Sequence, residues 1–255
     1  MTSWTPGPSI TAMDLHIDIV IPVYNGARLV TRAVESVLAQ TGKWNLHIFC
    51  VDDGSSDDSL TVLHALASRH PNLTVLANGM VNFEDGHQAA GAAAARNRGL
   101  AAGTSPLVAF LDQDDEWVPG RLAMHVPLFA ADPALLYAVG AQQFILDEGY
   151  SRPSWCRAEW LESPQAGFVP SALMVRREAW NVVGPLDSTA PKGGDDLNWF
   201  ARARTLGVPF IALNEVVVNR YVHADNTSSD VYASNLAVLD AVRRNLKLKG
   251  ALRDA

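Results

Sequence analysis

Ile17-Asp18-Ile19-Val20-Ile21-Pro22-Val23 is a β-branched apolar run that stops at Tyr24-Asn25-Gly26. Glycine permits a tight turn there, and beyond it Leu29, Ala33, Val37 and Leu38 recur at helical spacing. Strand, turn and helix follow in that order. The unit returns as a strand over 46–51, the turn Asp52-Asp53-Gly54-Ser55-Ser56-Asp57, and a helix carrying Leu60, Leu63, Leu66 and Ala67. Ser56 fits the N-cap of that helix. Residues 73–76 read as a third strand, the alanine-rich 88–102 as a third helix, and 107–111 as a fourth strand that runs into Asp112-Gln113-Asp114-Asp115-Glu116. Strands alternating with helices predict an α/β fold: a Rossmann-like, doubly wound, mostly parallel sheet flanked by helices.

A chain of 255 residues makes one large domain or two small ones. With 48% hydrophobic and 18% charged residues it is neither disordered nor fibrous. Asp and Glu number 27 against 20 Lys and Arg, a net charge of −7, which gives no general footprint for nucleic acid. Cys50 and Cys156 lie far apart without CxxC spacing, so no disulfide framework or structural zinc site is expected and a reducing cytoplasm is the default. Residues 1–15 lack the pattern of a secretory signal and read as a loose leader. The longest charge-free run, 133–146, is too short to span a bilayer, so no transmembrane segment is expected.

No break in composition separates the halves, so a single domain over 16–229 is expected. Its first half, 16–130, carries the regular repeats. In the second half, 131–229, the pattern loosens, with strands expected over 135–146, 168–175 and 215–221 and a helix over 195–206. Residues 230–255 form an amphipathic helix and tail. Leu236, Leu239, Val242 and Leu246 share one of its faces, and Arg243, Arg244, Lys247 and Lys249 gather near its end. Cations there complement the helix dipole; peripheral contact with an anionic membrane at its inner face, or with an acidic acceptor, is the alternative.

Ligands of open α/β sheets bind outside the carboxyl ends of the strands, where strand order switches. Tyr24-Asn25, Asp52-Asp53 and 112–115 stand at three such ends, Asp195 and Asp196 at a helix start, and His223 lies near the C-terminus. Carboxylates fixed at a strand end can bind a hard divalent cation such as Mg²⁺ or Mn²⁺.

Ile21-Pro22-Val23-Tyr24-Asn25, the 51–57 segment, Ala95-Arg96-Asn97-Arg98-Gly99-Leu100, Phe110-Leu111-Asp112-Gln113-Asp114-Asp115 and Gly194-Asp195-Asp196 resemble, in order and spacing, the family 2 glycosyltransferases with the GT-A fold. The resemblance runs from about Asp18 to about Ser228. It implies an inverting, metal-dependent hexosyltransferase that moves a sugar from a nucleotide-sugar donor, a UDP-sugar favoured, to an acceptor hydroxyl. On that footing Pro22, Val23, Tyr24 and Asn25 line the nucleotide base. Asp52 accepts a hydrogen bond from uracil N3–H while Asp53 caps the turn, or the two exchange roles. Arg96 lies near the nucleotide. Asp112 lies near the ribose, with Gln113 inside the same DxD-like element, and Asp114 binds the Mg²⁺ or Mn²⁺ that bridges the phosphates. His223 is a further metal or phosphate ligand. Asp196 is the general base, ionised at neutral pH by an ordinary Asp pKa of about 3.9. Asp195 stands where the family usually has Glu.

Two other classes fit some of the residues. A haloacid-dehalogenase-type phosphatase would use Asp112 and Asp114, but Glu116 stands where that family has Thr. A catalytically inactive glycosyltransferase-like binding protein would need a broken catalytic element, and none is visible. Trp155, Trp160, Trp180 and Trp199 suit sugar rings but are spaced like core residues, so at most two are expected to touch an acceptor.

Overall fold

The apolar run that opens the repeat becomes β1 (His16–Val23), at the middle of the parallel half of the sheet. The structure is a computed structural model, and it describes residues 15–77, 81–83, 86–88, 90–190, 193–224, 226 and 231–253. After β1 come α1 (Val30–Leu38), β2 (Asn45–Asp52), α2 (Ser59–Arg69) and β3 (Leu73–Ala77). A small hairpin, β4 (Val81–Phe83) and β5 (Gly86–Gln88), precedes α3 (Ala92–Ala102) and β6 (Leu107–Phe110). Then follow β7 (Asp115–Trp117), α4 (Arg121–Ala131), β8 (Tyr137–Leu146), α5 (Ala158–Glu162) and β9 (Gln165–Ala166). A 3₁₀ turn (Pro170–Ala172) leads to β10 (Leu173–Arg176), α6 (Ala179–Val183), α7 (Asp195–Thr205), β11 (Phe210–Val222) and α8 (Val231–Arg253).

One nine-stranded sheet takes the order β3-β2-β1-β6-β10-β8-β11-β7, with β9 beside β8. The strands β3, β2, β1 and β6 are parallel; β10 runs antiparallel between β6 and β8. From β1 the chain winds outward through β2 and β3, then returns to lay β6 on the other side of β1. The carboxyl ends of β1, β2 and β6 therefore open on one crevice.

Both faces of β1 are covered, which is why its sequence is almost continuously apolar. Ile17, Ile19, Ile21 and Val23 pack with Val30, Val34, Leu63 and Phe129 on one side, and Val20 packs with Val51, Val108 and the Tyr137–Trp180–Trp199 aromatic group on the other. Gly99 seats α3 on the sheet: a Cβ there would come 2.4 Å from Val20 Cγ1. Asp18 is the buried exception. Its carboxylate accepts from Ser105 Oγ at 2.6 Å and pairs with Arg177 at 2.5 Å, tying β1 to the end of β10.

Several elements differ from the sequence expectation. The third helix starts at Ala92 rather than residue 88, because the hairpin occupies the segment before it. Residues 168–175 divide into the 3₁₀ turn and β10, since Pro170 fixes φ and removes a ladder donor. The strand expected over 215–221 begins at Phe210. Neither β7 nor α4 was expected; β7 is acidic and forms by pairing with β11, and α4 contains Pro127. Ser56 does not cap α2, which starts at Ser59 behind Asp58. The Ser56 N–H and hydroxyl both go to Asn25 Oδ1 instead.

Of the expected leader 1–15, residues 1–14 lie outside the described residues, as does the side chain of Leu236, while Leu15 is buried in the core rather than loose. The α8 stripe formed by Leu239, Val242 and Leu246 is exposed, while Ala241 on another face is buried. Among the described residues no helix is long and apolar enough to cross a membrane.

Breaking a buried ion pair from one side leaves an uncompensated charge. Asp18→Ala is expected to lower unfolding stability by about 3 kcal/mol in urea titration, with the m-value unchanged. A loss below about 0.5 kcal/mol would show that the Asp18–Arg177 pair does not hold the two halves of the sheet together.

Candidate active site

The turn after β1 is locked to the turn after β2. Asn25 adopts φ 48°, a left-handed conformation that asparagine tolerates. Its N–H donates to Ser55 Oγ at 2.9 Å, and its Oδ1 accepts from the Ser56 N–H at 2.8 Å. Gly26 N–H donates to Ser59 Oγ. The amide of Gln113 brackets the Tyr24 backbone, accepting from its N–H at 2.9 Å and donating to its carbonyl at 3.0 Å. Only glycine leaves room for that amide, because a Cβ on residue 26 would lie 2.2 Å from Gln113 Oε1. Pro22 and Val23 are buried in the sheet, so of the expected base-lining residues Tyr24, 49% exposed, is the one that presents an aromatic face.

Asp52 and Asp53 are both buried and do different work. Asp52 Oδ2 accepts from the N–H groups of Gly54 and Ser55, while its buried Oδ1 has no partner among the described residues. Asp53 spans to the start of α3, accepting from Ala90 N–H at 3.1 Å and Gly91 N–H at 2.7 Å. Turn capping thus belongs to Asp52, which still keeps one oxygen for a donor.

Beyond β6, Asp112, Asp114 and Asp115 each place an oxygen within 4.8 Å of the others. Carboxylates this close repel unless cations or protons offset them. Arg96, 6% exposed, takes Asp112 at 2.5 Å and Asp195 at 3.0 Å. Burial opposes its charge, but Asp112 and Asp195 outweigh burial and hold the guanidinium above its usual range. Arg220, on β11, lies 3.6 Å from Asp115 and is held up the same way, by Asp115, Asp112 and Asp114 against burial. His223 Nε2 lies 3.1 Å from Asp114 Oδ2, and Asn226 donates to the same oxygen at 3.4 Å. Burial works against ionising Asp114, yet the His223 hydrogen bond and Arg220 keep its carboxyl below the usual range. Asp115 goes the other way: burial first, then the charges of Asp114 and Asp112, push it up to about 8 despite Arg220. Three carboxylates beside an imidazole, one of them with a buried oxygen that meets Arg220 without a hydrogen bond among the described residues, make a donor set that fits a hard divalent cation.

Asp195 and Asp196 occupy the first turn of α7, where the helix dipole favours negative charge. Asp195 is held by Arg96. Burial, and then the neighbouring Asp195 charge, raise the Asp196 carboxyl to about 7, with Arg96 and the Leu197 N–H at 2.6 Å opposing. This departs from the ordinary value expected from the sequence, and a group poised near neutrality is suited to accepting a proton at physiological pH. Because Arg96 grips both Asp112 and Asp195, the β6 end and the α7 start are fixed side by side.

The model of the glycosyl transferase family 2 matches residues 18–182. The chain belongs to glycosyl transferase family 2. Chondroitin synthase of Escherichia coli is 27% identical over 226 residues, covering 83% of this chain and 30% of that one. The chain spans about a third of the length of the curated relatives it matches first. Among solved structures, the mannosyltransferase of Pyrobaculum calidifontis in complex with GDP-Man and Mn²⁺ aligns with a TM-score of 0.66 and 18% identity over 91% of this chain and 64% of that one. TarS 1–349 of S. aureus in complex with UDP-GlcNAc aligns with a TM-score of 0.62 and 15% identity over 85% of this chain and 61% of that one. The fold is therefore GT-A, as the motifs implied, in a single domain.

In this family 2 glycosyltransferase the expected residues Tyr24, Asn25, Asp52, Arg96, Asp112, Gln113, Asp114, Asp196 and His223 stand around the crevice, while Pro22 and Val23 support it from within the sheet. Arg220, Asn226 and Arg32 also reach the acid triad and were not expected from the sequence. Arg32 donates to the Asp114 carbonyl at 3.2 Å and stacks 3.6 Å over Tyr221, whose hydroxyl donates to Glu116 at 2.5 Å. Arg220 and Asn226 share one short polar segment with His223, a signal that was present. Arg32 stood alone in its helix and gave none. Of the four tryptophans, Trp180 and Trp199 are core residues, 9% and 1% exposed.

In metal-free protein carrying ¹³C-labelled aspartate, the Asp196 carboxyl, assigned by its loss in Asp196→Asn, is expected to titrate with a midpoint near 7. Its ionised, proton-accepting fraction then rises as pH rises through that value. A midpoint near 4 would contradict the raised pKa.

Proposed function

We propose that the chain transfers a sugar from a UDP-sugar to an acceptor hydroxyl with inversion. The observation that carries this reading is the Arg96 bridge, which sets a three-carboxylate cation site and a carboxyl group poised near neutrality on one crevice. Tyr24 offers the exposed ring on which a base stacks. The spare Asp52 Oδ1 is an acceptor for the N3–H of uracil. A Mg²⁺ or Mn²⁺ ion held by Asp114, with Asp112, Asp115 and His223 beside it, would supply neutralisation of the leaving diphosphate.

Asp196, ionised, takes the proton of the acceptor hydroxyl as that oxygen attacks the anomeric carbon from the face opposite the nucleotide. Configuration is then inverted. Arg96 holds Asp195 in an ion pair at 3.0 Å, so that Asp195 positions the helix start. The donors named for the two structural relatives, GDP-Man and UDP-GlcNAc, support a nucleotide-sugar, and the Mn²⁺ of the first supports a divalent ion. Both cysteines are free and buried, which suits a cytoplasmic protein, and the exposed α8 stripe suits peripheral contact with the inner face of a membrane.

Two substitutions separate the roles. Asp114→Ala is expected to abolish Mn²⁺-dependent UDP binding in calorimetry. Asp196→Asn keeps that binding and loses turnover by about 10²–10⁴-fold. If Asp196→Asn transferred sugar at near wild-type rate, the base would lie elsewhere, and if UDP failed to bind with Mn²⁺ present, the donor reading would fall.

The pH profile carries a sign as well. The wild-type rate falls as acid protonates Asp196, and a metal ion nearby moves that limb below the metal-free midpoint by favouring the ionised carboxylate. An acid limb that stays unchanged in Asp196→Glu would argue that another group sets it.

A further inference from the structure

Across Arg220 from the acid triad, the sheet carries an aromatic path. Arg220 on β11 pairs with Phe144 on β8, and its guanidinium carbon lies 5.5 Å from the Phe144 ring centre. Phe144 stacks on Trp160 with ring centres 5.2 Å apart and planes 26° from parallel. The Gln143 amide donates to the carbonyls of Trp160 at 3.3 Å and Leu161 at 3.1 Å, which pins α5 against β8. The Trp160 ring is thus held from behind and from its own backbone.

On the outer side of Trp160 lies an open cavity of about 690 Å³, lined by Arg152, Ser154, Arg157, Glu159, Trp160 and Gln165. Its size falls in the range of small-ligand sites. Two guanidinium groups face one carboxylate there. The Arg157 side chain makes no ion pair or hydrogen bond among the described residues; its guanidinium carbon lies 5.7 Å from the Trp160 ring centre. Arg152 spends one N–H on the Cys156 carbonyl at 2.6 Å and has further donors.

We propose that this cavity is the acceptor subsite, and that it takes a sugar ring carrying an anionic group, a carboxylate or a phosphate. The inference rests on the transferase reading above and names the class of acceptor. The ring lies on Trp160, whose flat face covers sugar C–H groups, and the anion lies on Arg157 and Arg152, whose forked donors match carboxylate and phosphate oxygens. Placement supports it. An anion beside Asp112, Asp114 and Asp115 would be repelled, whereas the Arg220–Phe144–Trp160 path sets the anion apart from the triad. Arg220 pairs across the strands with Phe144 on one side and meets Asp115 on the other, so the cavity and the triad lie at the same end of the sheet, and an acceptor that spans them brings its hydroxyl toward the crevice while its anion stays on the arginines.

The test is calorimetric binding, without divalent cation, of p-nitrophenyl β-glucuronide, glucose 1-phosphate and the neutral p-nitrophenyl β-glucoside to the wild-type chain, Arg157→Gln and Arg157→Glu. At least one anionic probe is expected to bind tenfold or more tightly than the glucoside. Arg157→Gln should remove that advantage and Arg157→Glu should reverse it, with glucoside affinity unchanged. Which anionic probe is favoured distinguishes a carboxylate from a phosphate. Trp160→Ala is expected to weaken all three by about tenfold. Equal affinity for charged and neutral probes, or a preference that survives both Arg157 substitutions, overturns the proposal. Titration of the same wild-type protein with UDP and Mn²⁺ tests the donor reading separately, so failure of one is not failure of the other.

Discussion

Arg96 is the interaction on which the site depends. It joins Asp112 to Asp195, which lies 99 residues beyond Arg96 itself, and it does so from a buried position on α3. A guanidinium has the fixed, forked donors needed to hold two carboxylates at once. Without it, the β6 end and the α7 start would present adjacent negative charges with nothing between them. With it, the acidic crevice keeps a definite shape, and Arg220 completes the balance from the β11 side. The different environments then separate the carboxyl groups: Asp114 is driven toward ionisation, while Asp115 and Asp196 are driven toward holding a proton.

The fold places these groups with one unusual backbone position, the left-handed Asn25. Strand order reverses around β1, so the residues after β1, β2 and β6 meet. Side chains then lock the three turns together: Asn25 to Ser55 and Ser56, Gln113 to Tyr24, and Asp53 to the start of α3. The residues proposed for donor recognition and for cation binding are therefore held in one hydrogen-bonded unit. Asp196 and the Trp160 cavity belong to the second half, which joins the first through the antiparallel β6–β10 pair and the buried Asp18.

The first half was legible because its signals are local. A buried parallel strand is a continuous apolar run, and a polar cluster at its end marks the crevice, so β1, β2 and β6 and their acids could be read directly. The second half is set by long-range pairing. β7 is a strand only because β11 lies beside it, and α4 carries a proline that sequence reading takes as a break. The tryptophans show the same limit: Trp160 beside a cavity and Trp199 in the core have the same composition and spacing, and only packing tells them apart. Likewise Asp52 and Asp53 are adjacent and identical, yet one keeps a buried free oxygen and the other caps α3. The raised pKa of Asp196 arises from enclosure and from Asp195, neither of which an isolated reference value contains.

The most direct measurement is diffraction from crystals grown with UDP and Mn²⁺, using the anomalous signal of manganese. The expected result is one manganese peak among the carboxylates of Asp112, Asp114 and Asp115, with the uracil on Tyr24 and its N3–H directed at Asp52 Oδ1. Manganese bound away from that triad, or UDP bound outside the crevice, would contradict the assignment of this site to a metal-assisted sugar transfer.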